Sequence, residues 1–134
     1  MDGIAGIYDS SRPKDIVHNT FLATGVLQHR GRAGAGIAIG NGKGIYIHKD
    51  MGRIGDVIDP GIMRAFQDLE PVAAIGNVGY TKNAIPEKRN VEPIEVHPKA
   101  SSRYQVVITL DGYLVKEDDL KSELEHDYRL NTGN

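Results

Sequence analysis

Two short apolar runs, Ile37 to Ile39 and Ile45 to His48, are separated by Gly40, Asn41, Gly42 and Lys43. Asn41 and Gly42 tolerate the positive φ of a tight primed turn, so this spacing predicts a β-hairpin and therefore an antiparallel sheet. The preceding stretch from Gly31 to Gly36 reads as a flexible lead into the hairpin. Ile4 to Tyr8 is another short β-branched run, stopped by Asp9, Ser10, Ser11 and Pro13. Val72 to Val78 and Tyr104 to Leu110 are the longest β-rich runs. The second lacks alternation at Val106, Val107 and Ile108, which predicts a strand buried on both faces.

Three segments carry helical spacing. Pro13 to Gln28 places Ile16, Val17, Phe21, Ala23, Val26 and Leu27 at near-helical spacing, with Pro13 suited to a first turn. Asp56 to Leu69 repeats the pattern more weakly, with Pro60 near its start, and Val115 to His126 places Glu117 four residues before Lys121. Thr81 to Arg103 is polar and contains prolines, which predicts a long connection of the kind that often carries function. Strands flanked by helices make the expected class α+β.

Composition narrows the functions such a fold can serve. The 134 residues, 40% hydrophobic and 25% charged, are expected to form one domain over residues 1–134. A formal net charge of −2 gives no basic field for phosphates, so nucleic acid is not an expected partner. The absence of cysteine removes disulfides, thiolate metal sites and any cysteine nucleophile, and it fits a reducing compartment. No apolar run approaches the roughly 20 residues of a spanning helix, and Met1 to Ser10 lacks the regions of a signal peptide. The expected location is the cytoplasm, with no membrane partner.

Local motifs support no cofactor. Gly36 and Gly42 are one residue too far apart for a phosphate loop, and Lys43 is followed by Gly44 where such a loop needs serine or threonine. His18, His29, His48, His97 and His126 never fall at the i,i+3 or i,i+4 spacing that converges on a metal, so no metal site is expected. Glu117 and Asp118 read as a solvated helix start rather than a general acid and base.

Four motifs, taken together, say more. Leu27 to Gly31 followed by Ala35, Gly36 and Ile37 resembles the LQHRG…AGI signature of class II glutamine amidotransferases. In the same order, MDGIAGI resembles that family's amino-terminal MCGIVGI, IGNVGYTK its GHVRYST, and TLDGYLV its AHNGNLV. The variant nearest to this set is the glutaminase domain of the amidophosphoribosyltransferase type. The resemblance implies an N-terminal nucleophile hydrolase fold, a four-layer αββα sandwich. Family glutaminase domains are generally longer, and this chain stops at Asn134, about where the family supplies an aspartate for the glutamine amino group. A missing final region is therefore expected, which would leave sheet edges in need of a partner.

The same alignment implies dismantled chemistry. The family's catalytic cysteine follows the initiator and becomes residue one, whereas Asp2 holds that position here. A carboxylate with an ordinary pKa of about 3.9 is a poor nucleophile towards an unactivated amide. Methionine removal generally requires a small second residue, so Met1 is expected to stay and displace the free amine. The arginine that the family uses as a two-pronged clamp on the substrate carboxylate is matched by Gly79. Asn77 matches the preceding histidine and Lys82 the following threonine. The oxyanion-hole positions fall on Asp111 and Gly112, and an ionised Asp111 offers only acceptors. Substrate-binding positions fall on Arg30, Gly79, Tyr80 and Lys82.

Three functions follow as expectations. The preferred one is a domain without glutaminase activity, a structural or regulatory subunit that pairs with another protein or with a second copy. The alternatives are a working enzyme, either an ammonia-releasing glutaminase whose cysteine was replaced or a hydrolase in which Asp2 or Asp111 acts as general base on another amide, and a module that binds glutamine or a related small molecule without turnover.

Overall fold

The computed structural model describes residues 1–11, 13–80, 87–98, 105–112 and 115–129. Its elements run β1 (Gly3–Tyr8), α1 (Pro13–Val26), β2 (Gly34–Gly40), β3 (Ile45–Met51), α2 (Ile54–Val57), α3 (Pro60–Asp68), β4 (Ala73–Gly79), β5 (Ile94–Pro98), β6 (Val106–Ile108), α4 (Glu117–Asp127) and β7 (Tyr128–Arg129). Short 3-10 turns occupy Gln28–Arg30 and Lys88–Asn90.

Two antiparallel sheets result. The larger has the order β1-β4-β2-β3, and the smaller has β6-β5-β7. The predicted hairpin joins β2 to β3. Its turn is closed by Asn41, whose Oδ1 accepts from the Lys43 and Gly44 amides at 3.0 and 3.1 Å, and Gly42 takes φ +80°.

Alternation along β2 sorts the layers. Ala35, Ile37 and Ile39 are fully buried and join Ile16 and Val17 of α1, Ile54 and Val57 of α2, and Phe66 of α3 in one core. The opposite face of β2 meets the lead into the small sheet: a side chain at Gly36 would lie 2.6 Å from the Glu92 carbonyl and 2.9 Å from Pro93. Helices α1 to α3, the large sheet and the small sheet are therefore stacked in that order, a mixed α+β architecture matching the expected class.

Several local expectations change. The helix foreseen over Asp56 to Leu69 is two helices, α2 and α3, because Pro60 lacks an amide and pushes the residues before it out of helical geometry. Asp59 caps the second, its Oδ1 accepting from the Ile62 amide at 2.9 Å. The stretch from Gly31 to Gly36 is not all lead: β2 starts at Gly34. The connection Thr81 to Arg103 contains the strand β5, and the rest of it lies partly outside the described residues. Finally, Val106 and Ile108 are 44% and 51% exposed, so β6, at the edge of its sheet among the described residues, is not a strand buried on both faces. Three β-branched residues in a row report strand propensity, not burial.

Candidate functional site

Strand pairing brings one end of the large sheet to a point. Gly3 pairs with Val78 and Gly34 with Gly79, so Asp2, just ahead of β1, lies beside the end of β4. The Gln28–Arg30 turn, which breaks the helix foreseen through Gln28, closes over the same point. Gly31 there approaches Gly79 so closely that an added Cβ would lie 2.4 Å from the Gly79 Cα.

Asp2 is 6% exposed, and its carboxylate lies over Gly79. A Cβ at Gly79 would sit 2.9 Å from the Asp2 Cγ and Oδ1. The position aligned with the family's arginine is thus closed by the residue aligned with its cysteine.

Arg30 and Asp111 complete a latch across the chain terminus. The Asp2 amide donates to Asp111 Oδ1 at 2.8 Å, Arg30 Nη2 donates to Asp111 Oδ2 at 2.8 Å, and Arg30 Nε donates to the Asp2 carbonyl at 2.7 Å. Arg30 Nη2 also lies 3.4 Å from the Met1 sulfur. Asp111 therefore spends both oxygens on internal donors.

The Asp2 amide, and then the Arg30 guanidinium, hold the Asp111 carboxyl below its ordinary value of 3.8. A lowered folded-state pKa means that the latch contributes fully at neutral pH and is lost as pH falls below that ordinary value and through the lowered one. A carbon-13 titration of the Asp111 carboxyl should show a midpoint below that of an unstructured peptide carrying the same residues. Asp111→Asn should remove that titration step, and a wild-type midpoint at or above the peptide value would contradict the latch.

A second cluster positions the segment that carries Asp111. Glu92 Oε2 accepts from Thr109 Oγ1 at 2.6 Å, from the Leu110 amide at 2.6 Å and from Asn77 Nδ2 at 3.4 Å. Asn77, 2% exposed on β4, also donates to Thr109 Oγ1 at 2.8 Å. The residue aligned with the family's histidine is therefore a structural tie. Glu92 and Thr109 were not singled out by their local sequence: an acidic residue before a proline in a polar connection carries no signal of a partner 17 residues away.

Of the positions picked out by resemblance, Asp2, Arg30, Gly79 and Asp111 meet here. Gly112 follows Asp111 at φ +152° and is exposed. Tyr80 is 56% exposed at the end of β4, and Lys82 lies outside the described residues. Among the described residues no group of histidine, aspartate or glutamate side chains gathers as a metal site, and no helix is long and apolar enough to cross a membrane.

No family model matches the chain. Individual proteins do. It is 35% identical over 125 residues to an amidophosphoribosyltransferase of Methanocaldococcus jannaschii, covering 93% of this chain and 25% of that protein. The amidophosphoribosyltransferase of Bacillus subtilis is 29% identical over 124 residues, covering 92% and 24%. Among solved structures, an allosteric regulatory enzyme of purine biosynthesis superposes with a TM-score of 0.66 at 27% identity, over 94% of this chain and 25% of that one. A glutamine phosphoribosylpyrophosphate amidotransferase from B. subtilis, complexed with ADP and GMP, gives 0.63 at 29% identity, over 93% and 24%. The chain spans about a quarter of the length of these relatives.

Proposed function

This chain is a homologue of the amidophosphoribosyltransferases, class II glutamine amidotransferases with the N-terminal nucleophile hydrolase fold, and we propose that it is a glutaminase-type domain that no longer hydrolyses glutamine. Its role in this reading is structural or regulatory, in a complex with another protein or with a second copy.

The observation that carries the reading is the latch. An oxyanion site needs donors aimed at an empty position, and Asp111 instead presents two acceptors already engaged by Arg30 and the Asp2 amide. The Asp2 side chain covers Gly79, so the residue aligned with the substrate-clamp arginine brings no cation of its own and a side chain there would have no room. Loss of the nucleophile from a catalytic triad costs on the order of 10⁶ in turnover. Loss of one oxyanion donor costs about 10² to 10³ more where the two act independently.

Purified protein should release ammonia from glutamine no faster than a control carrying Asp2→Ala and Gly112→Ala. A rate well above that control would overturn the proposal and favour a working enzyme. Calorimetric titration with glutamine should give no heat at millimolar ligand, and a saturable signal would instead favour a binding module.

A further inference from the structure

Two surfaces on this chain are opposite in shape and charge. One is helix α4, whose sequence holds six acidic residues against a single lysine. From Asp118 to Glu125 its side chains are exposed, apart from a half-buried Lys121. Leu120 and Leu124, one turn apart, are 39% and 44% exposed, and Asp119 and Glu123 flank them on one side. Among the described elements its one substantial neighbour is the two-residue β7 that follows it. A helix with apolar residues one turn apart normally buries them, and among the described residues no other element of the fold packs closely on this pair.

The other surface is a seam between β3 and β5, an open cavity of about 340 Å³. Ile47 and Ile94 line it with apolar surface, while Lys49, Lys88 and Arg89 outnumber Glu95 among its charges. Roughly 150 Å³ suffices for a benzene-sized group, so the volume is of the size that leucine side chains need. Lys88 pairs with Asp50 at 2.7 Å and Arg89 pairs with Glu87, but these side chains are between 38% and 60% exposed. Ion pairs so exposed contribute little and exchange partners readily.

We propose that α4 of one copy docks in the β3–β5 seam of a second copy, with Leu120 and Leu124 in the cavity and Asp119 and Glu123 facing Lys88 and Arg89. This is helix-in-groove recognition, with the leucines giving affinity and the charges giving register. A two-fold arrangement uses each helix and each seam once and closes as a dimer, whereas a non-closing arrangement would extend into filaments. The contact does not depend on the state of the latch. Glutamine turnover would overturn the catalytic reading and leave this one standing, and a monomer would do the reverse.

Sedimentation of the full chain over a concentration series should show a monomer–dimer equilibrium that weakens as salt rises. Leu124→Asp, at an exposed position, should weaken dimerisation about tenfold or more while the circular dichroism spectrum is unchanged. Arg89→Glu should also weaken it, and Arg89→Glu combined with Glu123→Lys should recover at least part of the loss. A monomer at millimolar protein, a dimer indifferent to Leu124→Asp, or no recovery in the charge-swapped pair would each overturn the proposal.

Discussion

Replacing Gly31 by alanine is expected to remove about 3 kcal/mol or more of folding stability, read as a lower denaturation midpoint. The cause is not backbone conformation, since Gly31 is extended at φ −171°, which any residue adopts. It is space. The new Cβ would lie 2.4, 2.5 and 2.6 Å from the Cα, C and N of Gly79. Overpacking usually costs about 1–3 kcal/mol because side chains can turn aside, and main-chain atoms cannot. Gly79 is also tied down, pairing with Gly34 and accepting from the Ala33 amide at 3.0 Å. Against a total stability of about 5–15 kcal/mol this is a large fraction. Gly40→Ala supplies the control, because a Cβ there meets nothing within 4 Å, and its change should stay within about 0.5 kcal/mol. Equal midpoints for the two variants would mean that the strand end yields freely.

That contrast shows where sequence reasoning is strong and where it stops. The β2–β3 hairpin was legible because its information is local: Asn41 and Gly42 specify the turn whatever surrounds them. The break between α2 and α3 was legible in principle from Pro60, whose effect is equally local. Strand β5 was hidden because its five residues sit in a polar connection, and a strand that short is stabilised by its neighbours rather than by propensity. At the site, Asp2, Gly79 and Asp111 could be picked out only by alignment with a known family. That alignment says which side chains are missing, not what the replacements do. The bond from Arg30 to Asp111 spans 81 positions and that from the Asp2 amide spans 109, distances over which no spacing rule operates. The latch is visible only after folding.

Restoring the apparent catalytic residue should therefore restore nothing by itself. Asp2→Cys with Met1 removed is expected to leave ammonia release at background, because two further obstacles remain. Gly79 offers no cation, and Asp111 still presents a carboxylate held by Arg30 where a donor is required. Turnover from the single Asp2→Cys variant would show that the scaffold is intact and only the nucleophile is lost. The arginine, in turn, cannot simply be put back. In the native background Gly79→Arg places a Cβ 2.9 Å from the Asp2 Cγ and is expected to cost about 2–3 kcal/mol. Asp2→Ala removes the colliding atoms, so the double variant should lose less than the sum of the two single changes by about 1 kcal/mol or more. Additive losses would mean that positions 2 and 79 do not share space. Coupling of that size would instead mean that each substitution is tolerated because the other is present: with glycine at 79, a carboxylate fits at 2, and with that carboxylate in place the arginine no longer fits.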